Sequence, residues 1–176
     1  DAIVVFVAAG VTIDQVSPHF SNGNRVYSAM PNTATAIGQG MTCIAVPEED
    51  IPQTGPVMEV FEQLGQALII PEDLMPAATV LGACGVAFAL RFIRATMQGG
   101  IEIGFSADLA QKITAQTVKG AAELIQTNGL HPEQEIDKVT TPKGITISGI
   151  NTMEHSGFSS ALIKGLVSSY EKVPKK

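Results

Sequence analysis

Two patterns of apolar residues divide this chain. Up to about residue 71 the apolar positions fall in short runs separated by Gly, Pro and Asn. Residues 2–9, ending in IVVFVAA, are a near-continuous apolar run rich in β-branched side chains. That pattern predicts a central parallel strand covered on both faces. Gly10 breaks the run, and Thr12 is placed to cap a short helix through Val16. Ser21-Asn22-Gly23-Asn24 reads as a loop. Residues 25–30 and 40–46 read as a second and third strand. Residues 52–65 repeat apolar side chains at Val57, Val60, Phe61 and Leu64, a helical period with Gly65 as its stop. Residues 66–70 read as a fourth strand.

From Pro71-Glu72-Asp73 onward the period is helical throughout, so a domain boundary is expected near residue 71. Helices are expected over 72–79, 83–103, 106–128, 145–155 and 157–172, with a short helical turn near 132–138. The stretch from Ala83 is apolar nearly all round, through Val86, Phe88, Leu90, Phe92, Ile93 and Met97. A helix without a polar face is buried on all sides. The helices that follow are too few to surround it, and an intertwined homodimer would cover it. The fold class expected is α/β plus all-α, a sheet-bearing part followed by a helical part.

Composition narrows this picture. A hydrophobic fraction of 45% with 16% charged residues describes a core-forming globular chain of 176 residues. The net charge of −6, with no basic cluster beyond Lys175-Lys176, argues against nucleic acid. Cys43 and Cys84 are too few and too far apart for a disulfide framework or zinc site, so a reducing cytoplasm is expected. Residues 74–90 carry no charge, yet Pro76, Gly82 and Gly85 interrupt them and Arg91 and Arg94 follow. The run is short of the roughly 20 residues a spanning helix needs, so a buried helix is expected and no membrane partner. The start at Asp1-Ala2-Ile3 has no Met and no basic n-region, which points to a processed or trimmed N-terminus.

Few residues suggest chemistry. Ala8-Ala9-Gly10 closes the first strand, where ligands bind in open α/β sheets. Small residues there admit a flat ring, or simply make the turn. Asn32, in Met30-Pro31-Asn32-Thr33, either bonds a ligand amide or caps the following turn. Gly82-Ala83-Cys84-Gly85 opens the long helix, with Cys84 either an activated thiol or a buried inert one. Thr140-Thr141-Pro142-Lys143-Gly144-Ile145-Thr146 is the strongest candidate. Gly144 permits unusual backbone angles, and the N–H groups of residues 143–146 can converge on a carboxylate at a helix start. A well-capped helix with no ligand is the equal alternative. His19, His131 and His155 make no metal set, and no GxGxxG fingerprint occurs.

Five stretches taken together resemble pyrroline-5-carboxylate reductases: AAGVTI (8–13), MPNTATAIGQGMT (30–42), EDLMPAATVLGACG (72–85), HPEQEIDKVTTPKGITI (131–147) and MEHSGFSSALI (153–163). The resemblance implies the C-terminal remnant of a Rossmann domain over 1–71, lacking the glycine-rich half, and a helical dimerisation and substrate-binding domain over 72–176. It implies NADPH or NADH as cofactor, with Ala8, Ala9, Gly10, Met30 and Asn32 beside the nicotinamide end. Thr146 would hydrogen-bond the ring nitrogen as the catalytic residue. Val139, Thr141, Lys143, Gly144 and Ile145 would complete the substrate site. The implied reaction is reduction of 1-pyrroline-5-carboxylate to L-proline, in a cytoplasmic homodimer or decamer. The sequence departs from the family at Lys143, where Gly is usual, and at Ala83, Cys84, Val86 and Phe88. Those departures leave two alternatives, a non-catalytic dimerisation fragment and a related imine reductase of altered specificity.

Overall fold

The computed structural model describes residues 2–20 and 23–174. Asp1, the expected loop residues Ser21 and Asn22, and the Lys175-Lys176 tail lie outside the described residues. By internal contacts the chain forms two compact units, Asp1–Ala87 with Gly165–Lys176, and Phe88–Lys164.

The first unit is built on four strands, β1 (Ile3–Phe6), β2 (Arg25–Met30), β3 (Gly40–Ala45) and β4 (Gly65–Ile69), in the order β1-β2-β3-β4. β1 runs parallel to β2 and β3 parallel to β4, while β2 and β3 are antiparallel. β1 was expected at the centre of a sheet. Within this chain it pairs on one side, with β2, and its four residues are half-buried. Apolarity on both faces reports what covers a strand above and below, and not what lies beside it.

Alternation along the strands divides the core in two. On one face Val26, Met30 and Ala45 pack with Ile13 and Met75. On the other, Tyr27, Ala29, Ile44 and Ala67 pack with Val57 of α2 (Gly55–Glu62). Ile13 opens α1 (Ile13–Val16), which Thr12 caps as expected. Gln15 N–H donates to Thr12 Oγ1 at 3.3 Å, and Thr12 N–H donates to Gln15 Oε1 at 3.0 Å. The expected helix over 52–65 is shorter, because Pro52 ends a 3₁₀ stretch (Glu48–Gln53) before α2 begins. Gly65 does not stop α2. It begins β4 at φ 140°, with its backbone directly against Gly40, and a Cβ there would fall within 2.1 Å of the Gly40 carbonyl oxygen.

The expected break between helices near residue 80 is absent. α3 (Met75–Ala78) passes through a π-helical turn (Thr79–Cys84) into α4 (Gly85–Glu102), so Glu72–Glu102 is one helical run of 31 residues. Gly82 and Gly85 therefore do not open a helix, and Cys84 is a half-buried member of the π-turn without a free N–H rim. Met75 and Val80 are buried and Ala83 packs on the sheet core. The contact division consequently falls after Ala87, beyond the change in composition near 71.

In the second unit α4 is followed by α5 (Ala107–Asn128), α6 (Pro132–Val139), α7 (Ile145–His155) and the first part of α8 (Phe158–Lys172). Ser106 caps α5, and Gly129 at φ 63° ends it. His131 caps α6, accepting the Glu133 N–H on Nδ1 at 3.2 Å. α4 crosses α5 closely where Gly100 meets Ala110, and Phe92 meets Phe158 with ring centroids 6.1 Å apart. Among the described residues of this unit only Ala110 and Thr114 are buried. The apolar helix was expected to be covered by a homodimer partner and not by its own chain. In the single chain no residue of α4 is buried, and Leu90 is 57% exposed. Glu72–Glu102 is also, by length and composition, long and apolar enough to cross a membrane.

Among the described residues two buried hydroxyls in the sheet are left unsatisfied, those of Tyr27 and Thr42. Tyr27 is fully buried and its hydroxyl has no hydrogen-bond partner. Burial, and next the charge of Asp50, push the phenol above its ordinary pKa. An unpaired buried hydroxyl costs about 1–3 kcal/mol. Tyr27→Phe is therefore expected to leave unfolding stability unchanged or raise it by about 1 kcal/mol, read by denaturant titration at fixed protein concentration. A clear loss of stability would mean that the hydroxyl is paired in solution.

Candidate functional site

In the first unit a cavity of about 350 Å³ opens at the carboxyl ends of β1 and β2. Of the five residues expected to hold a cofactor, Ala8, Gly10 and Met30 line it, and Ala9 and Asn32 do not. Gly10 adopts φ 74°, a region that favours glycine. The Pro174 ring packs against it, so near that a Cβ on Gly10 would lie 3.1 Å from the ring carbons. Opposite stand Glu72, Pro76 and Thr79 from the start of the helical run. Glu72 Oε1 accepts the Ile13 N–H at 2.7 Å and so ties the start of α1 to this wall. Sequence reasoning missed Ser28, Asp73, Thr79 and Tyr170, which the fold carries to this cavity from distant parts of the chain. The only sequence signal for any of them was the EDLMPAAT stretch.

A glycine-floored cavity at strand ends suits a planar ring with an amide, and its size is near the lower end of the ~300–1,000 Å³ common for ligand sites. The described residues thus fit the nicotinamide end of a dinucleotide. The glycine-rich phosphate loop for the other end does not occur in the sequence.

In the second unit the loop between α6 and α7 brings Val139, Thr141, Lys143, Gly144, Ile145 and Thr146 together within eight residues. Its geometry differs from expectation at one point. The unusual backbone angle is at Lys143, φ 60°, the only positive φ outside glycine among the described residues. Gly144 has an ordinary extended backbone, φ −71° and ψ 160°. Gly144 is required for space instead. Its N–H donates to the Thr141 carbonyl at 2.8 Å, and a Cβ would meet Thr141 Oγ1 at 2.6 Å and Thr141 O at 2.9 Å. Gly144 is the N-cap of α7 and supplies no side-chain cap, so the first-turn N–H groups point out unanswered.

The hydroxyls in this region divide into two kinds. Thr117, Thr140 and Thr152 each donate back to the carbonyl four residues earlier, at 2.8, 3.2 and 2.9 Å. Thr141 and Thr146 are exposed, and neither hydroxyl has a protein partner among the described residues. Val139 and Ile145 flank them with apolar side chains, Ile145 being 94% exposed. The arrangement offers backbone N–H groups, two hydroxyls and the Lys143 ammonium to an anion, beside an apolar rim.

Residues 72–175 match a family model described as pyrroline-5-carboxylate reductase dimerisation. The chain belongs to this family. Among curated relatives, pyrroline-5-carboxylate reductase 1 of Dictyostelium discoideum is 45% identical over 97% of this chain and 33% of its own length. Pyrroline-5-carboxylate reductase 2 of the same organism is 43% identical over 99% of the chain and 64% of its length. The chain thus spans a third to about two thirds of the pyrroline-5-carboxylate reductases it matches. In fold it is similar to the crystal structure of Plasmodium falciparum pyrroline carboxylate reductase with NADP bound. The TM-score is 0.87 at 24% identity, covering 97% of this chain and 69% of that one.

The geometry of the α6–α7 loop makes opposite predictions for neighbouring residues. A non-glycine residue in the left-handed region costs about 1–2 kcal/mol, partly offset by the greater freedom glycine has when unfolded. Lys143→Gly is expected to raise unfolding stability by about 0.5–1 kcal/mol. Gly144→Ala is expected to lower it by about 1–3 kcal/mol through the clash with Thr141. Thermal unfolding of the two variants side by side checks both, and a stable Gly144→Ala would disprove the packing at Thr141.

Proposed function

We propose that this chain is part of a pyrroline-5-carboxylate reductase that reduces 1-pyrroline-5-carboxylate to L-proline with NADPH or NADH. The observation that carries the reading is the pair of unpartnered hydroxyls, Thr141 and Thr146, at the uncapped start of α7, within a chain of this family. Helix starts favour anions through their free N–H groups and dipole. In this reading those N–H groups, Thr141 and Lys143 hold the substrate carboxylate. Thr146 Oγ1 holds the ring nitrogen and orients the C=N carbon. Val139 and Ile145 cover the apolar edge of the ring. Ala8, Gly10 and Met30 receive the nicotinamide ring, and the cofactor, when bound, supplies the hydride. Thr146 is the catalytic residue by contact with the reacting ring, and the remainder is positioning.

The domain assignment goes with this reading: residues 1–71 form part of a dinucleotide-binding domain, and residues 72–176 serve dimerisation and substrate binding. The uncovered apolar surface of Glu72–Glu102 supports a homodimer, with that run as an interface helix and not a membrane span. A decamer of such dimers is the larger assembly proposed. The unpaired thiols of Cys43 and Cys84 support a reducing, cytoplasmic setting.

Following NADPH absorbance with 1-pyrroline-5-carboxylate tests the reading. Substrate-dependent oxidation is expected, and its absence together with absent NADPH binding would favour a non-catalytic dimerisation fragment. Thr146→Ala is expected to lower kcat/KM by about 10–100-fold, the worth of one hydrogen bond to a charged or developing group, with Thr146→Ser largely restoring it. An unchanged kcat/KM in Thr146→Ala would remove this hydroxyl from the mechanism.

A further inference from the structure

Asn32 was weighed as a ligand contact or a simple turn cap, and its bonds fit neither description completely. Its Oδ1 accepts the Ala34 N–H at 3.0 Å, which caps the 3₁₀ turn Thr33–Ile37. Its Nδ2 donates to the Gly82 carbonyl at 3.1 Å, fifty residues away in sequence. The two bonds fix the amide's orientation, oxygen toward an N–H and nitrogen toward a carbonyl. Ser, Thr or Asp would cap Ala34 equally well. Among short side chains only an amide carries its acceptor and its donor on separate atoms, one facing the Ala34 N–H and the other reaching the Gly82 carbonyl. The choice of Asn is explained by Gly82, not by the cap.

Gly82 lies in the π-helical turn Thr79–Cys84. Such turns are rare, and they recur beside functional sites. Three residues before Gly82, Thr79 lines the cavity at the strand ends, and two residues before Asn32, Met30 lines it from the other side. Thr79 Oγ1 is itself held by the Met75 carbonyl at 2.8 Å, and Met75 and Val80 are buried against the sheet. The Asn32–Gly82 bond therefore ties the two walls of the cavity together just beyond its lining.

We propose that Asn32 is a positioning residue: its amide pins the π-turn at Gly82 and thereby sets the spacing between Met30 and Thr79 across the cavity. The claim about affinity rests on the reading of that cavity as the nicotinamide end of a cofactor site. Asn32→Ser keeps a capping oxygen and removes the Nδ2 arm that reaches the Gly82 carbonyl. Asn32→Asp keeps the cap and sets a second oxygen against the Gly82 carbonyl. Ser106→Ala is the control, since it removes the N-cap of α5 in the second unit, the Ser106 Oγ bond to Leu109 N–H at 3.4 Å, and lines no part of the cavity.

The test measures NADPH affinity by fluorescence titration and amide hydrogen exchange over residues 79–87, in the whole chain and each variant. Both Asn32 variants are expected to weaken NADPH about tenfold and to speed exchange over 79–87 at least tenfold, while Ser106→Ala changes neither. Wild-type affinity in both Asn32 variants overturns the proposal. Weakened binding with unchanged exchange overturns it too, by making Asn32 a direct contact. Equal weakening in Ser106→Ala overturns it by showing a general loss of stability. If the unaltered chain does not bind NADPH, the cofactor reading fails separately. Exchange over 79–87 then decides alone, and wild-type protection in both Asn32 variants overturns the π-turn anchor.

Discussion

The helical run Glu72–Glu102 carries more apolar surface than its own chain covers, and this imbalance governs the rest of the structure. Its early residues solve the problem locally. Met75 and Val80 are buried and Ala83 packs on the same core. After Ala87 that solution ends. The residues that follow meet α5 only at a close crossing, where Gly100 allows backbone approach to Ala110. Apolar side chains left in water forgo roughly 1.5–3 kcal/mol each relative to full burial. Leu90, Phe92, Ile101 and Ile103 all stand in that condition in the single chain. A helical unit with two buried residues does not have a core of its own. Its stability has to come from association, which agrees with a family defined by dimerisation.

The sheet has the opposite economy. Each strand face is committed, one to α1 and the start of the helical run, the other to α2. Because both faces are occupied, the open ground is at the strand ends, where Ala8, Gly10 and Met30 meet the first turns of the helical run. The π-turn is what lets one helix serve both purposes. It inserts an extra residue into the helical ladder while Val80 remains buried and the Gly82 carbonyl turns to Asn32. The cavity is thus a product of packing constraints on the helix as much as of the strands that floor it.

Much of this was legible in the sequence where one local rule was sufficient. The Thr12 cap, the ends of β2 at Arg25 and Met30, and the Ser106 start of α5 follow from side-chain chemistry within a few residues. The failures share a cause. The continuity of the helix through Gly82 and Gly85, and the place of Gly65 in β4 against Gly40 and not at a helix end, depend on partners distant in sequence. Glycines that read as a helix opening are tolerated inside a helical run because Asn32 and the sheet core hold the turn from outside. At the site, the α6–α7 loop was visible because its residues are contiguous. Ser28, Thr79 and Tyr170 were not, because only the fold brings them to one cavity.

The α6–α7 loop shows why the residue types there are worth reading one by one. Two adjacent positions carry different demands, φ 60° at Lys143 and no room for a Cβ at Gly144. Two glycines would meet both demands without strain. Here a lysine takes the left-handed position. It is disfavoured twice, by its Cβ in that region and by a cation next to the positive end of α7. Neither cost is relieved by a protein partner, since Lys143 is exposed and forms no salt bridge among the described residues. An anion at the start of α7 would reverse the second cost, because the helix N–H groups and the ammonium would then act on the same charge. The same lysine thus weakens the empty loop and would strengthen one that held an anion.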